Sequence, residues 1–218
     1  METTRITAIR HGETDWNVER RLQGHKDIAL NARGQWQAQR VGAALAQETV
    51  DSIYSSDLQR AHATARAIQQ ARAGSAGVVP ALHLDQGLRE RAFGSFEGQT
   101  YEAIAAQWPE ESRRWRQRDP DFAPPGGESP LQTQARVAQC VQAIAERHPG
   151  QSIVLVTHGG VLDMLYRLAT GQSVNAARSW ELGNAAINRL LWTGHSLSLI
   201  GWSDSRHLDE AALDETSV

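Results

Sequence analysis

Four short stretches of the chain carry residues whose types suit one chemistry. Arg10 and His11 follow a short apolar run and precede Gly12. Thr157, His158, Gly159 and Gly160 follow the wholly apolar "SIVLVT". Arg60 lies in "SSDLQR", and Glu90 lies in "LDQGLRERAFGSFEG". Arginine forks bind phosphate or carboxylate oxygens through paired, charge-assisted bonds. A neutral imidazole nitrogen can attack phosphorus, and cationic neighbours help keep it unprotonated. A carboxylic acid nearby can protonate the leaving oxygen. Glycine after each histidine would let backbone approach an anion closely. If the four stretches meet, they make an anion pocket holding a poised histidine.

The elements around these stretches must bring them together. Short, β-branched strand signals fall at 6–9, 52–54, 78–84 and 152–157, with two later ones near 186–192 and 197–202. The fourth is apolar on every residue, which predicts a central strand buried on both faces. Helical patterns lie between them. "NARGQWQAQRVGAALAQ" starts at Asn31 and "DLQRAHATARAIQQA" at Asp57, each a candidate N-cap. "SPLQTQARVAQCVQAIAERH" has Ser129 as N-cap and Pro130 at the first helical position. "VLDMLYRLAT" follows the Gly-Gly pair.

Strand–helix alternation predicts an α/β fold: three α/β/α layers around a mostly parallel central sheet. In such sheets ligands sit beyond the carboxyl ends of the strands, which is where Arg10, His11, Arg60, Glu90 and His158 fall. Residues 99–128 break the rhythm with two short helical patterns and a Pro/Gly turn. They read as a helical lid inserted into a single domain spanning 1–218. "ARAGSAG" reads as a mobile loop and 208–218 as a frayed tail.

Composition narrows the function classes. The net charge is −3, and Lys26 is the only lysine among 22 basic residues. A near-neutral chain without a basic run offers no footprint for nucleic acid or an anionic membrane. No apolar run approaches the ~20 residues needed to cross a bilayer, and the N-terminus lacks a secretory pattern. The one cysteine, Cys140, sits at helical apolar spacing with Val137, Val141 and Ile144, as a core filler would. These features predict a cytoplasmic protein. There is no GxxxxGK[ST], no GxSxG and no GxGxxG after a strand, so ATP use and serine hydrolysis are unsupported. His25, His62, His83, His148, His195 and His207 lack metal-ligand spacing.

"RHGETDWN", "SSDLQRAHATA", "LRERAFGSFEG", "PGGES" and "VTHGG" together resemble the histidine phosphatase superfamily, the phosphoglycerate-mutase-like clan, with the motifs in the family's order over most of the chain. The resemblance implies that His11 is the nucleophile that becomes phosphohistidine. It implies that Arg10, Arg60 and His158 hold the transferring phosphoryl group, with a hydrogen bond from Asn17. Glu90 would protonate the leaving oxygen and then deprotonate water, with Glu97 and Glu13 as competing carboxylates. Gln23 matches a position at the substrate mouth, and Gly159 would add a helix N-terminus to the phosphate site. The resemblance implies no metal and no cofactor, since the arginines carry the charge stabilisation that Mg²⁺ supplies in kinases.

The resemblance leaves a choice of reaction. Glu90-Arg91-Ala92-Phe93-Gly94 and "PPGGES" resemble the phosphatase branch, so the expected activity is hydrolysis of a small phosphorylated metabolite. A cofactor-dependent phosphoglycerate mutase, or a phospho-ligand-binding module without turnover, stays open beside it. Ile28-Ala29-Leu30 departs from the family's Pro-Leu near the mouth, which argues against transferring a substrate. Arg113, Arg114, Arg116 and Arg118 crowd the lid, and one of them is expected to meet an acidic substrate group. His25, Trp108 and Trp115 are further candidates for substrate contact. The oligomeric state, monomer or homodimer, is open.

Overall fold

Residues 153–156 are almost inaccessible to solvent on either face, and the strand they form explains the rest of the architecture. The computed structural model describes residues 2–73 and 79–209. Its six strands are β1 (Thr4–Arg10), β2 (Ser52–Ser55), β3 (Ala81–Leu84), β4 (Ser152–Thr157), β5 (Ile187–Trp192) and β6 (Leu197–Asp204). They form one sheet in the order β3-β2-β4-β1-β5-β6. The first four in that order are parallel, and β5 and β6 close one side antiparallel. The fold is thus the expected mixed α/β sheet, with β4 at an interior position.

Strand side chains alternate between faces, and the core divides accordingly. Ile153 and Leu155 join Ile6, Ala8 and Leu190 on one face, under α6 (Pro130–Ala145) and α7 (Gly159–Thr170). Val154 and Val156 join Ile9, Ile53 and Ile187 on the other, under α2 (Ala32–Leu45) and α3 (Gln59–Ala73). Burying each such side chain contributes about 1.5–3 kcal/mol. Cys140 packs half-buried against the first of these clusters.

Asn31 and Ser129 cap their helices as expected. Asn31 accepts from Gly34 N, and Ser129 makes a reciprocal capping box with Gln132. Asp57 does not cap α3. Its carboxylate takes the Arg89 guanidinium in a paired contact at 2.7 and 2.5 Å. The first amide of α3, Gln59 N, donates instead to Asp27 Oδ1 at 2.7 Å. A long-range fork thus displaces the local cap.

The third strand is shorter than expected. It begins at Ala81, and Val78 lies outside the described residues. Residues 74–77 of the expected loop and 210–218 of the expected tail lie outside them too. The insertion forms α4 (Tyr101–Gln107) and α5 (Pro109–Arg116). These helices have an apolar cluster of their own, in which Leu22, Phe96, Ile104 and Phe122 meet Phe93, Trp108 and Trp115. The remaining helix, α1 (Asp15–Val18), is a single turn after β1. Among the described residues no helix is long and apolar enough to cross a membrane.

Candidate active site

The register of β1 on β4 pairs Arg10 with Thr157. The next residues on the two strands, His11 and His158, therefore leave the sheet side by side. Their ring centroids lie 5.1 Å apart. His11 is 2 % exposed, and its Nδ1 lies 2.7 Å from the Gly12 carbonyl. A carbonyl only accepts, so Nδ1 carries the proton and Nε2 keeps its lone pair. Burial, then the positive Arg60 and Arg10, hold the imidazole well below the ordinary histidine range, against a smaller opposing effect of the Gly12 bond. His11 is neutral at neutral pH.

His158 is fully buried. Its Nε2 meets Ser56 Oγ at 2.8 Å, and Nδ1 has no hydrogen-bond partner within the protein. Burial, then Arg60, His11 and Arg10, lower its pKa as well. His158 stands beside His11 and is not part of the cavity wall.

The two arginines reach the histidines from different elements. Arg10 leaves the end of β1, and its Nη1 donates to the Leu182 carbonyl. Arg60 sits in the first turn of α3, completely buried. It donates to the Lys26 and Gly24 carbonyls, both at 2.8 Å. Burial lowers its pKa to about 10, which leaves it charged at neutral pH. The Nε atoms of both arginines are buried without a protein partner. Unpaired buried donors of this kind are uncommon, and here two belong to cations beside one histidine.

Glu90 approaches α7 from the loop after β3. Its Oε1 accepts from Gly160 N at 2.9 Å and Arg91 N at 2.8 Å, and Oε2 from Gly160 N at 3.1 Å. The carboxylate therefore occupies the N-terminal end of α7, where backbone donors and the helix dipole favour it. The two competing carboxylates are committed elsewhere. Glu97 Oε1 accepts from His25 N and Phe93 N, and Glu13 Oε1 accepts from Asn31 Nδ2. Neither lines the cavity, and Glu90 does.

Gly12 and Gly160 have packing roles that their sequence context does not show. A Cβ on Gly12 would stand 2.3 Å from the Gly34 carbonyl oxygen, so this glycine lets β1 and α2 touch. A Cβ on Gly160 would stand 2.3 Å from Glu90 Oε1, so that glycine makes room for the carboxylate. Gly159 lines the cavity beside Arg10, where a Cβ would meet only ordinary contact at 3.6 Å.

Arg10, His11, Arg60, Glu90, Gly159 and Gly160 face a cavity of about 640 Å³. Asn17 and Gln23 also line it. Gln23 is 7 % exposed, and its Oε1 has no partner. Of the lid arginines, Arg113 pairs with Glu110, Arg114 with Asp119 and Arg118 more loosely with Asp163, at 3.9 Å; Arg116 and Arg118 line the cavity. Trp115 lines it and Trp108 does not. His25 turns away and meets the Glu90 carbonyl through Nε2 at 2.9 Å. Tyr101 and Arg178, which also line the cavity, escaped the sequence reading. Both stand in polar stretches without a motif, and only the fold brings them to the wall. Among the described residues, no group of three or more His, Cys, Asp or Glu is placed to hold a metal ion.

The comparisons with known proteins agree with this geometry. The profile of the histidine phosphatase superfamily (branch 1) matches residues 6–205. Phosphoglycerate mutase-like protein 4 of Arabidopsis thaliana is 37 % identical over 213 residues, covering 96 % of this chain and 89 % of its own. The mycobacterial glucosyl-3-phosphoglycerate phosphatase superposes with a TM-score of 0.79 at 31 % identity, covering 92 % of this chain and 99 % of its own. Phosphoserine phosphatase of Entamoeba histolytica, solved in complex with phosphoserine, superposes with a TM-score of 0.81 at 28 % identity, covering 94 % and 100 %. With a family match spanning nearly all of the sheet and the site, the chain belongs to the histidine phosphatase superfamily, branch 1.

Proposed function

We propose that the protein hydrolyses phosphomonoesters through a phosphohistidine on His11. The observation that carries this reading is a buried, neutral imidazole whose Nδ1 is tied to Gly12 and whose Nε2 is free, between two partly unpaired arginines. Arg10 and Arg60 bind the equatorial phosphoryl oxygens, Asn17 adds a donor, and His158 supports the phosphoryl group from beside His11. When the phosphate dianion of the substrate arrives, its negative charge disfavours the nearby carboxylate, so Glu90 takes up a proton. His11 Nε2 attacks phosphorus as the ester P–O bond breaks, and the leaving oxygen takes that proton from Glu90. Water then attacks phosphorus and passes a proton to Glu90. The P–N bond breaks, and His11 returns neutral with inorganic phosphate released.

The substrate is a small phosphorylated metabolite bearing a second acidic group. Arg118 and Arg178 add positive charge to the cavity wall beyond Arg10 and Arg60, and two similar proteins are named for esters of this kind, glucosyl-3-phosphoglycerate and phosphoserine. Residues 99–128 cover the cavity as a lid.

Phosphate release from a panel of monoesters, with His11→Ala as control, tests the reading. Turnover should vanish in the variant, while wild type leaves a ³²P label on histidine after acid-free quenching. Isomerisation of 3-phosphoglycerate without phosphate release would replace hydrolysis with mutase chemistry. Phosphate binding without either reaction would leave a binding module.

A further inference from the structure

The segment between α7 and β5 binds the ends of the site to one another. Asn184 Nδ2 donates to the His11 carbonyl at 2.9 Å and to Asn17 Oδ1 at 3.3 Å. Ala185 is fully buried with φ of +56°, a left-handed conformation that residues bearing a Cβ rarely adopt. It is held from both sides: its N–H donates to the Arg10 carbonyl at 3.0 Å, and its carbonyl meets His207 Nε2 at 3.0 Å. Leu182 in the same segment accepts from the Arg10 side chain. A few consecutive residues thus engage Arg10, His11 and Asn17 together.

The chemistry of Asn17 gives this contact its meaning. Asn17 Oδ1 accepts from Thr14 N and Thr14 Oγ1, each at 3.1 Å, as well as from Asn184. Three donors around one oxygen leave the carboxamide a single orientation, with Nδ2 as the group it can offer to the cavity. Two of those donors come from the start of its own helix turn. Asn184 is the one that ties it to the residue after β1. Asn184 itself is not part of the cavity wall, so any effect it has on substrate passes through its neighbours.

We propose that Asn184 is a positioning residue that fixes the His11 main chain and the Asn17 carboxamide in one register, so that Nε2 and Nδ2 face the same phosphoryl group. The strained Ala185 is the backbone solution that lets the segment reach Arg10 and His11 at once. This inference rests on the phosphohistidine reading, and its test separates the two.

Wild-type turnover of p-nitrophenyl phosphate tests the reading alone. The inference is tested by Asn184→Ala, Asn17→Ala and the double variant, with kcat, KM and the Kd for inorganic phosphate measured for each. Asn184→Ala should lower kcat about 10- to 100-fold, as a small misplacement of reacting groups does, and should weaken phosphate binding. In the double variant the loss should be well short of the product of the two single losses. Losses that multiply, or unchanged kcat and phosphate affinity in Asn184→Ala, would overturn the proposal. The phosphate titration decides even if wild type shows no turnover.

Should Asn184→Ala not fold, Asn184→Asp keeps the shape and removes the donor. Relative to wild type it should be impaired at neutral pH and recover as pH falls and its carboxyl regains an O–H. A ratio to wild type that stays flat with pH would count against a hydrogen-bonding role.

Discussion

His11 and His158 spend their burial on staying neutral. Both are pushed well below the ordinary histidine range near pH 6.5, first by burial and then by the charge of Arg60. The consequence for stability has a definite sign. Below about pH 6.5 the unfolded chain binds a proton on each ring and the folded protein does not, so stability falls as the pH drops from there towards the folded values. The Tm in phosphate-free buffer should therefore decline from about pH 7 to pH 5, and His158→Asn should decline less steeply. Equal slopes for the two proteins would show that His158 is not a source of the effect. Glu90 offers a second test at this scale. Glu90→Gln should slow esters with poor leaving groups by about 10²–10⁴, the usual range for a general acid, and aryl phosphates far less. Equal losses on both would remove Glu90 from the acid role.

Among elements, α7 does the most to organise the cavity. Its N-terminus meets the Glu90 carboxylate through Gly160, and one turn further Asp163 lines the cavity wall. Asp163 is held by Arg167, which is wholly buried, at 3.1 Å. Arg167 also donates to the Ser173 and Ala176 carbonyls, and so pins the segment that leads to Arg178. Removing one partner of a buried ion pair costs about 3–5 kcal/mol when the other charge is left uncompensated; here Arg118, 3.9 Å from the same Asp163 oxygen, remains as a weaker partner. Arg167→Ala should therefore lose stability towards the lower part of that range in urea unfolding, and Asp163→Asn in the same background should recover part of it. A loss below about 1 kcal/mol would show the pair to be well solvated. The helix starts also show where local rules hold. Asn31 and Ser129 cap as their sequences direct, whereas Asp57 is taken by Arg89 from a distant loop.

At the scale of the whole molecule, the cavity wall is assembled from distant parts of the chain: the end of β1 and the start of α3 bring Arg10, His11 and Arg60, and the 99–128 insertion and the segment carrying Arg178 complete it. The additional arginines should matter most for substrates with a second acidic group. Arg178→Ala is expected to raise KM about tenfold for a phosphomonoester bearing a carboxylate, a charge-assisted bond being about 1.5 kcal/mol, and to affect p-nitrophenyl phosphate far less. A KM unaffected on every acidic ester would remove Arg178 from recognition.

The sequence alone determined the sheet class, the interior position of β4 and the residues at the strand ends, because these follow from local periodicity and from short contiguous motifs. The candidate residues His11, Arg60, Glu90 and His158 each stand in a short contiguous motif. Glu90 stands ahead of Glu97 and Glu13 on its motif alone; the tertiary structure adds the physical difference, since Glu90 lines the cavity while the other two accept from groups elsewhere. The use of Gly12 and Gly160 was likewise decided by elements that pack against them, α2 and the Glu90 loop. Asn184, Ala185 and Arg178 carry no local signal. Their relation to the site exists only because β5 returns antiparallel beside β1 and delivers the segment before it to the end of the strand that bears Arg10.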